Sequence, residues 1–150
     1  MTIWLQIADN WLAADDSVFA EKFINNCAHI IREVPAKSEK EKTLHVEFKI
    51  CQAMISDSKR KFNLAAWDFY RLSNNPDLDA ESQILQLQQA MACAILSPAG
   101  DNKYKLMSAL HKDERSKLID PHYEILHKLF MGNVVRMEEV KTFEEQLKEH

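Results

Sequence analysis

Six histidines are the first residues of this chain to test for metal binding. His122 and His127 lie five residues apart, and at about 100° per residue a helix would place them about 140° apart, not on one face. No H-E-x-x-H motif completes a ligand set. We predict no metal site and no cofactor. We expect His45 to be a structural histidine beside a buried face and the following to be solvated: His29, His111 and His150.

Three cysteines, Cys27, Cys51 and Cys93, are far apart and have apolar neighbours. An odd number without a C-x-x-C motif is typical of buried free thiols in a reducing compartment. We therefore expect a cytoplasmic and nuclear protein.

Nucleophilic catalysis requires a base, an orienting group and an oxyanion hole, usually on loops that contain glycine. Gly100 and Gly132 are the two glycines of the chain, and no Gly-rich phosphate loop occurs. The acidic pairs at 15–16 and 138–139 stand at predicted helix starts, where the helix dipole explains them. We predict no catalytic residues.

Two charged clusters are candidate partner-binding sites. Lys59, Arg60 and Lys61 precede a predicted helix, where positive charge is mildly unfavourable, so a partner contact competes with a solvated turn. The second cluster connects two predicted helices, and its end residues could pair with carboxylates at three-residue spacing. It consists of Lys112, Asp113, Glu114 and Arg115.

The overall charge argues against two classes of partner. The net charge is −4 and the pI is near 5.9, and the lysines and arginines of 103–117 are offset by Asp113 and Glu114. No stretch approaches the roughly 18 apolar residues of a membrane span. We predict no nucleic-acid binding and no membrane insertion.

The elements that must position these residues are helices. Scarce glycine, and prolines between segments with apolar residues every three to four positions, predict helices joined by short turns. Ser38 with Glu41, and Asp79, are predicted caps. Pro35 should end the second helix. The predicted apolar stripes include Leu44, Phe48, Cys51 and Ile55 in the third helix, and Val140, Phe143 and Leu147 in the last, which should run from Met137 to Leu147.

Internal repetition favours stacked hairpins over a closed antiparallel bundle. Ala20-x-x-x-Ile24 recurs as Ala65-x-x-x-Phe69, each on the second helix of a pair, at a spacing near that of HEAT-type repeats. The predicted fold is all-α, a TPR/HEAT-like right-handed solenoid. Most aromatic residues of the first four helices should be core, and one or two exposed at a free end would mark a protein-binding surface. The aromatic residues in question are Trp4, Trp11, Trp67, Phe69 and Tyr70.

Three patterns in the second half resemble the PCI-domain family of the proteasome lid, the signalosome and an initiation factor. They are C-x-I-L-x-x-A-G, L-x-K-D-E-R and Y-x-I-L, and they are most similar to the subunit 4 family of the COP-nine signalosome. W-L-Q-I-A-D-N-W-L and R-K-F-N-L-A-A extend the resemblance to the first half. The matching residues of the second half are Cys93, Ile95, Leu96, Ala99, Gly100, Leu110, Lys112, Asp113, Glu114, Arg115, Tyr123, Ile125 and Leu126.

The resemblance implies helical repeats over 1–78 that continue into the helical half of a PCI domain over 79–150. The family ends in a winged helix, which this chain does not reach before His150, so the sequence is expected to be a fragment or a reduced homologue. It implies a non-catalytic scaffold in the complex that deneddylates cullin–RING ubiquitin ligases, with other signalosome subunits as partners. The alternatives are a proteasome-lid subunit, which shares Y-x-x-L-x-K-L-F, and a helical-bundle enzyme with a polar pocket.

Overall fold

The computed structural model describes residues 2–14, 16–33 and 38–147, and within these ranges it consists of helices joined by turns, with no strand. The all-α prediction is confirmed. Three residues with predictions lie outside the described residues: Asp15, predicted at a helix start, Pro35, predicted to end a helix, and His150, predicted to be exposed. The helices are α1 (Thr2–Ala13), α2 (Ser17–Glu33), α3 (Glu39–Ser58), α4 (Phe62–Ser73), α5 (Ala80–Leu96), α6 (Asp101–Lys112), a 3-10 helix (Glu114–Leu118), α7 (His122–Phe130) and α8 (Met137–Glu144).

The predicted caps at two helix starts are present. The backbone N–H of Ser38 donates to Glu41 Oε2 at 2.7 Å at the start of α3. Asp79 Oδ2 accepts from the backbone N–H of Ser82 at 3.0 Å at the start of α5. Each contact satisfies an N–H that the helix itself leaves without a partner, so these local signals fix where the two helices begin.

Helices that follow one another in sequence pack against one another, α1 on α2, α3 on α4 and α4 on α5, as a stack of hairpins requires. The repeated small-to-large motif lies at the centre of the packing: Ala20 and Ala65 are fully buried, and Ile24 and Phe69 nearly so. Alanine lets the paired helix approach closely, and the large residue one turn later fills the space beside it.

Helix α3 is buried on two opposite sides. Phe48, Cys51 and Ile55 pack with α1 and α2 in one core, whereas Val46 and Ala53 belong to a second core that extends from α4 to α7. At 100° per residue the two groups lie on opposite faces. The sequence prediction found the first face only, and the second, which links the two cores, is a finding of the structure.

Helix α7 begins directly after Pro121, and the N–H of Tyr123 donates to the Ile119 carbonyl at 3.0 Å, so the chain itself provides the acceptor at this helix start. Two predictions about the last helix are wrong. Helix α8 ends at Glu144, and Val140 is exposed rather than inward. Only one side of α8 contacts α7, and Phe143 fills that contact.

Shortening a buried side chain on the first face of α3 tests whether this face contributes to the core formed with α1 and α2. Phe48→Ala should lower the free energy of unfolding by about 3–5 kcal/mol, because it removes a buried ring and leaves a cavity. Leu64→Ala is the matched control, since Leu64 is exposed on α4, and it should cost less than about 0.5 kcal/mol. Urea unfolding measures both, and equal losses would contradict the assignment.

Candidate protein-interaction surfaces

The 59–61 cluster forms the connection between α3 and α4. Lys59 makes an ion pair with Glu21 of α2, so its charge is used within the chain. Arg60 adopts a φ of 55°, in the left-handed region that often ends a helix, and its N–H donates to the Asp57 carbonyl at 2.7 Å. Arg60 and Lys61 are exposed. Of the predicted cluster, these two side chains face solvent and stay candidates for a partner contact.

The 112–115 cluster contains an internal clamp. Arg115 Nη1 donates to the Ser73 carbonyl at 2.8 Å, and Nη2 donates to Asn74 Oδ1 at 2.8 Å and to Asp113 Oδ2 at 2.7 Å. The guanidinium therefore ties the end of α4 to the segment after α6. Hydrogen bonds from Arg115 hold the pKa of Asp113 below its ordinary value, and the same pair raises the pKa of Arg115.

This geometry corrects the expected pairing in the second cluster. Arg115 pairs with Asp113, two residues away, because Asp113 also caps the 3-10 helix by accepting from the Arg115 N–H at 3.0 Å. Lys112 and Glu114 are exposed on either side of the clamp. They are the members of the cluster that a partner could reach.

The expectation that His111 is solvated is wrong. His111 is half-buried between α6 and α7, stacked against Tyr123 and Phe130, and its Nε2 lies 2.9 Å from Nδ1 of His127. Periodicity missed this cluster because its rings meet across two helices. Burial is the main cause that lowers the pKa of His111, and the nearby His127 and Lys117 lower it further.

The cysteines behave as buried thiols. Burial raises the pKa of Cys27, and burial together with Asp9, whose carboxylate accepts from the thiol at 3.3 Å, raises the pKa of Cys51 to about 12. A thiol nucleophile needs the opposite shift. Both side chains are buried in the core between α1, α2 and α3.

A cavity of about 300 Å³ beside α5 is lined by Asp57, Cys93 and His122, the grouping that a helical-bundle enzyme would require. The Cys93 thiol donates to Asp57 Oδ1 at 3.2 Å. His122 Nδ1 has no hydrogen-bond partner in the described part of the chain, so this nitrogen is not paired with the thiol as a catalytic base. Burial lowers the pKa of His122.

Apolar side chains are exposed at the α1–α2 end of the stack. Trp4 and Trp11 are 36% and 38% exposed, and Trp11 stacks on Phe19 with ring centroids 5.0 Å apart. Ile3 and Val18 are more exposed still. Trp67 and Tyr70 are half-buried and Phe69 is buried, so of the five aromatic residues singled out from the sequence, the two exposed ones lie at the α1–α2 end.

Residues 2–14, 16–33 and 38–147 contain neither a candidate membrane span nor a candidate metal site. None of the helices there has the length and apolarity to cross a membrane. Within the same ranges, no group of three or more His, Cys, Asp or Glu side chains is arranged to hold a metal ion.

No protein-family model matches the chain. Individual relatives do: COP9 signalosome complex subunit 4 of Neurospora crassa is 33% identical over 148 residues, which is 99% of this chain and 33% of the relative. The Drosophila melanogaster subunit is 34% identical over 98% of the chain and 35% of its own length. The Arabidopsis thaliana subunit is also 34% identical, over 97% of the chain and 37% of its own length.

Over nearly its whole length the chain is similar to one part of COP9 signalosome complex subunit 4. The match runs from the α1–α2 hairpin to the last helix, so it includes both charged clusters and the exposed aromatic end. The chain spans about a third of the length of the subunit 4 relatives that it matches.

The Arg115 clamp yields a stability prediction. Arg115→Ala should lower the free energy of unfolding by about 1.5–3 kcal/mol, because it removes charge-assisted hydrogen bonds and leaves the Ser73 carbonyl without its donor. Arg71→Ala is the control, since the Arg71 side chain is 75% exposed, and it should cost less than about 0.5 kcal/mol. Urea unfolding near pH 7 compares the two, and similar losses would contradict the clamp.

The histidines predict loss of stability on acidification. Because the folded-state pKa values of His111 and His122 are lowered, their contribution is present above the ordinary value of 6.5 and is lost as the pH falls below it. His111→Phe keeps a ring in the stack but cannot be protonated. Urea unfolding at about pH 7.5 and about pH 5.5 should therefore show a smaller pH-dependent loss for this variant. An identical pH-dependent loss in the unsubstituted chain and in the variant would show that His111 does not contribute to it.

Proposed function

We propose that the chain is a non-catalytic scaffold segment of the COP9 signalosome. The observation that carries the proposal is the match along 97–99% of the chain to subunit 4 from fungal, insect and plant sources. The helical stack with an exposed aromatic end supports the same function, because such surfaces are suited to holding other proteins.

In this proposal the chain acts through its partners. The complex removes a ubiquitin-like modifier from the cullins of cullin–RING ubiquitin ligases, and its catalytic centre lies in another subunit. The chain would contact other signalosome subunits and help to hold the cullin–RING ligase that is the substrate of the complex. The net charge of −4 supports protein partners over nucleic acid or an anionic membrane. The proposed location is the cytoplasm and the nucleus.

The exposed members of the two charged clusters are the proposed contact residues, Arg60 and Lys61 after α3, and Lys112 and Glu114 beside the clamp. The remaining members, Lys59, Asp113 and Arg115, act indirectly, because their ion pairs fix the connections on which the exposed residues stand. Local order of this kind reduces the entropy lost on binding.

Affinity capture tests the assignment of the complex. The tagged chain, added to a eukaryotic cell extract, should enrich signalosome subunits over proteasome-lid subunits when bound proteins are identified by mass spectrometry. Enrichment of lid subunits instead would support the alternative PCI-domain scaffold and contradict the proposal.

A charge reversal with a matched control tests the contact residues. Lys61→Glu should reduce the captured signalosome subunits by about tenfold if the residue lies in the interface. Lys105→Glu makes the same charge change at an exposed position on α6 and should leave capture within about twofold. Release of the modifier from a cullin by the isolated chain would show that it is an enzyme.

A further inference from the structure

Two histidines join α6 to α7 by a hydrogen bond between their rings. His111 Nε2 lies 2.9 Å from His127 Nδ1, the ring centroids are 5.1 Å apart, and the ring planes differ by 15°. Because the centroid distance is about the N–N distance plus the two ring radii, the rings meet edge to edge in nearly one plane. The hydrogen bond is therefore nearly straight, which is its favourable geometry, and one proton lies between the two nitrogens.

Aromatic rings surround the histidine pair on both helices. Tyr123 stacks on both histidines, with its centroid 5.9 Å from that of His111 and 6.0 Å from that of His127. Phe130 lies 4.9 Å from His111, and Tyr104 of α6 stacks on Phe130 at 5.5 Å. Both histidines are half-buried, so moving them apart would disturb a packed cluster of rings that spans the two helices.

The charges that act on His111 are positive. Burial lowers the pKa of His111 most, and the charges of His127 and Lys117 lower it further. Carboxylates on the neighbouring elements form other ion pairs, namely Asp68 with Arg71, Asp113 with Arg115, and Glu139 with Lys128. The exposed acids of α5 to α8 are not among the groups that change the pKa of His111. These acids are Glu81, Asp101, Glu114, Glu124, Glu138 and Glu144.

The two rings can take up one proton without losing their hydrogen bond. Each imidazole has a second nitrogen away from the pair, and a proton that binds this nitrogen on the donor ring leaves the N–H···N bond in place and makes it charge-assisted. A second proton has to bind the nitrogen that accepts the bond. Both rings are then cations whose N–H groups face each other, and like charges this close repel.

We propose that the His111–His127 hydrogen bond is a pH-sensitive lock between α6 and α7, which one added proton leaves closed and a second proton opens. The lock is closed at neutral pH and opens as the pH falls, because the folded-state pKa of His111 lies below its ordinary value. Leu110 of α6 and Leu126 of α7 belong to the same core, so opening would expose part of that core. The lock does not depend on the proposed function.

A nuclear magnetic resonance titration of the imidazole nitrogens tests the shared proton. In the unsubstituted chain the pair should take up its two protons in separate steps, about one pH unit or more apart, and the signals of both rings should report both steps. Glutamine can bond to His111 but cannot be protonated, so in His127→Gln the remaining ring should titrate in one step, at a higher pH than the second step of the pair. His29→Gln, at an exposed position on α2, is the matched control and should leave both steps unchanged.

Amide hydrogen exchange, corrected for its intrinsic pH dependence, tests the opening itself. Between about pH 7.5 and about pH 5, exchange in α6 and α7 should rise by about fivefold or more, whereas exchange in α3 and α4 should not. His127→Gln should remove this rise, and circular dichroism at pH 7.5 verifies that the variant is folded.

Three outcomes would overturn the proposal. The first is independent titration of the two rings in the unsubstituted chain, a result that needs no variant. The second is protection of α6 and α7 that stays the same, or falls equally in every helix, on acidification. The third is a rise in exchange that persists in His127→Gln, which would assign it to another group such as the buried His122.

Discussion

Burial of α3 on two opposite sides is the constraint on which the rest of the fold depends. Phe48 and Cys51 close the core formed with α1 and α2, and Val46 and Ala53 close the core that continues to α7. A helix that must satisfy two cores has little freedom to shift, because a movement that improves one contact opens the other. The end of the same helix leads into the 59–61 connection.

The sequence predicted the parts of the fold that depend on neighbours in the chain. The caps at Ser38 and Asp79, and the buried alanines of the repeated motif, follow from spacing alone, because capping and helix approach are local. The second face of α3 was missed because apolar residues on two opposite faces of a helix do not form a single stripe. Its signal was present in the apolar residues at 46, 50 and 53.

In the candidate sites, too, the sequence predicted local features but not contacts between distant parts of the chain. The sequence identified the charged clusters, but it could not show that Lys59 pairs with Glu21 or that Arg115 reaches Ser73, since these partners are about forty residues away in sequence. The structure thus separates each cluster into side chains that hold the fold and side chains that a partner can reach. The likeness to subunit 4 is the reason that we propose a role in assembly for those exposed residues.

The coupling of the two cores through α3 can be measured with two fluorescent probes. In urea, Trp11, which stacks on Phe19, reports on the α1–α2 hairpin that contributes to the first core, and Trp67 reports on the second core. Each is observed in a variant whose other tryptophans are replaced by phenylalanine. If α3 joins the cores into one cooperative unit, the two transitions should have the same midpoint and slope. A Trp11 transition at clearly lower urea than that of Trp67 would show that the α1–α2 hairpin unfolds by itself, and would contradict the account.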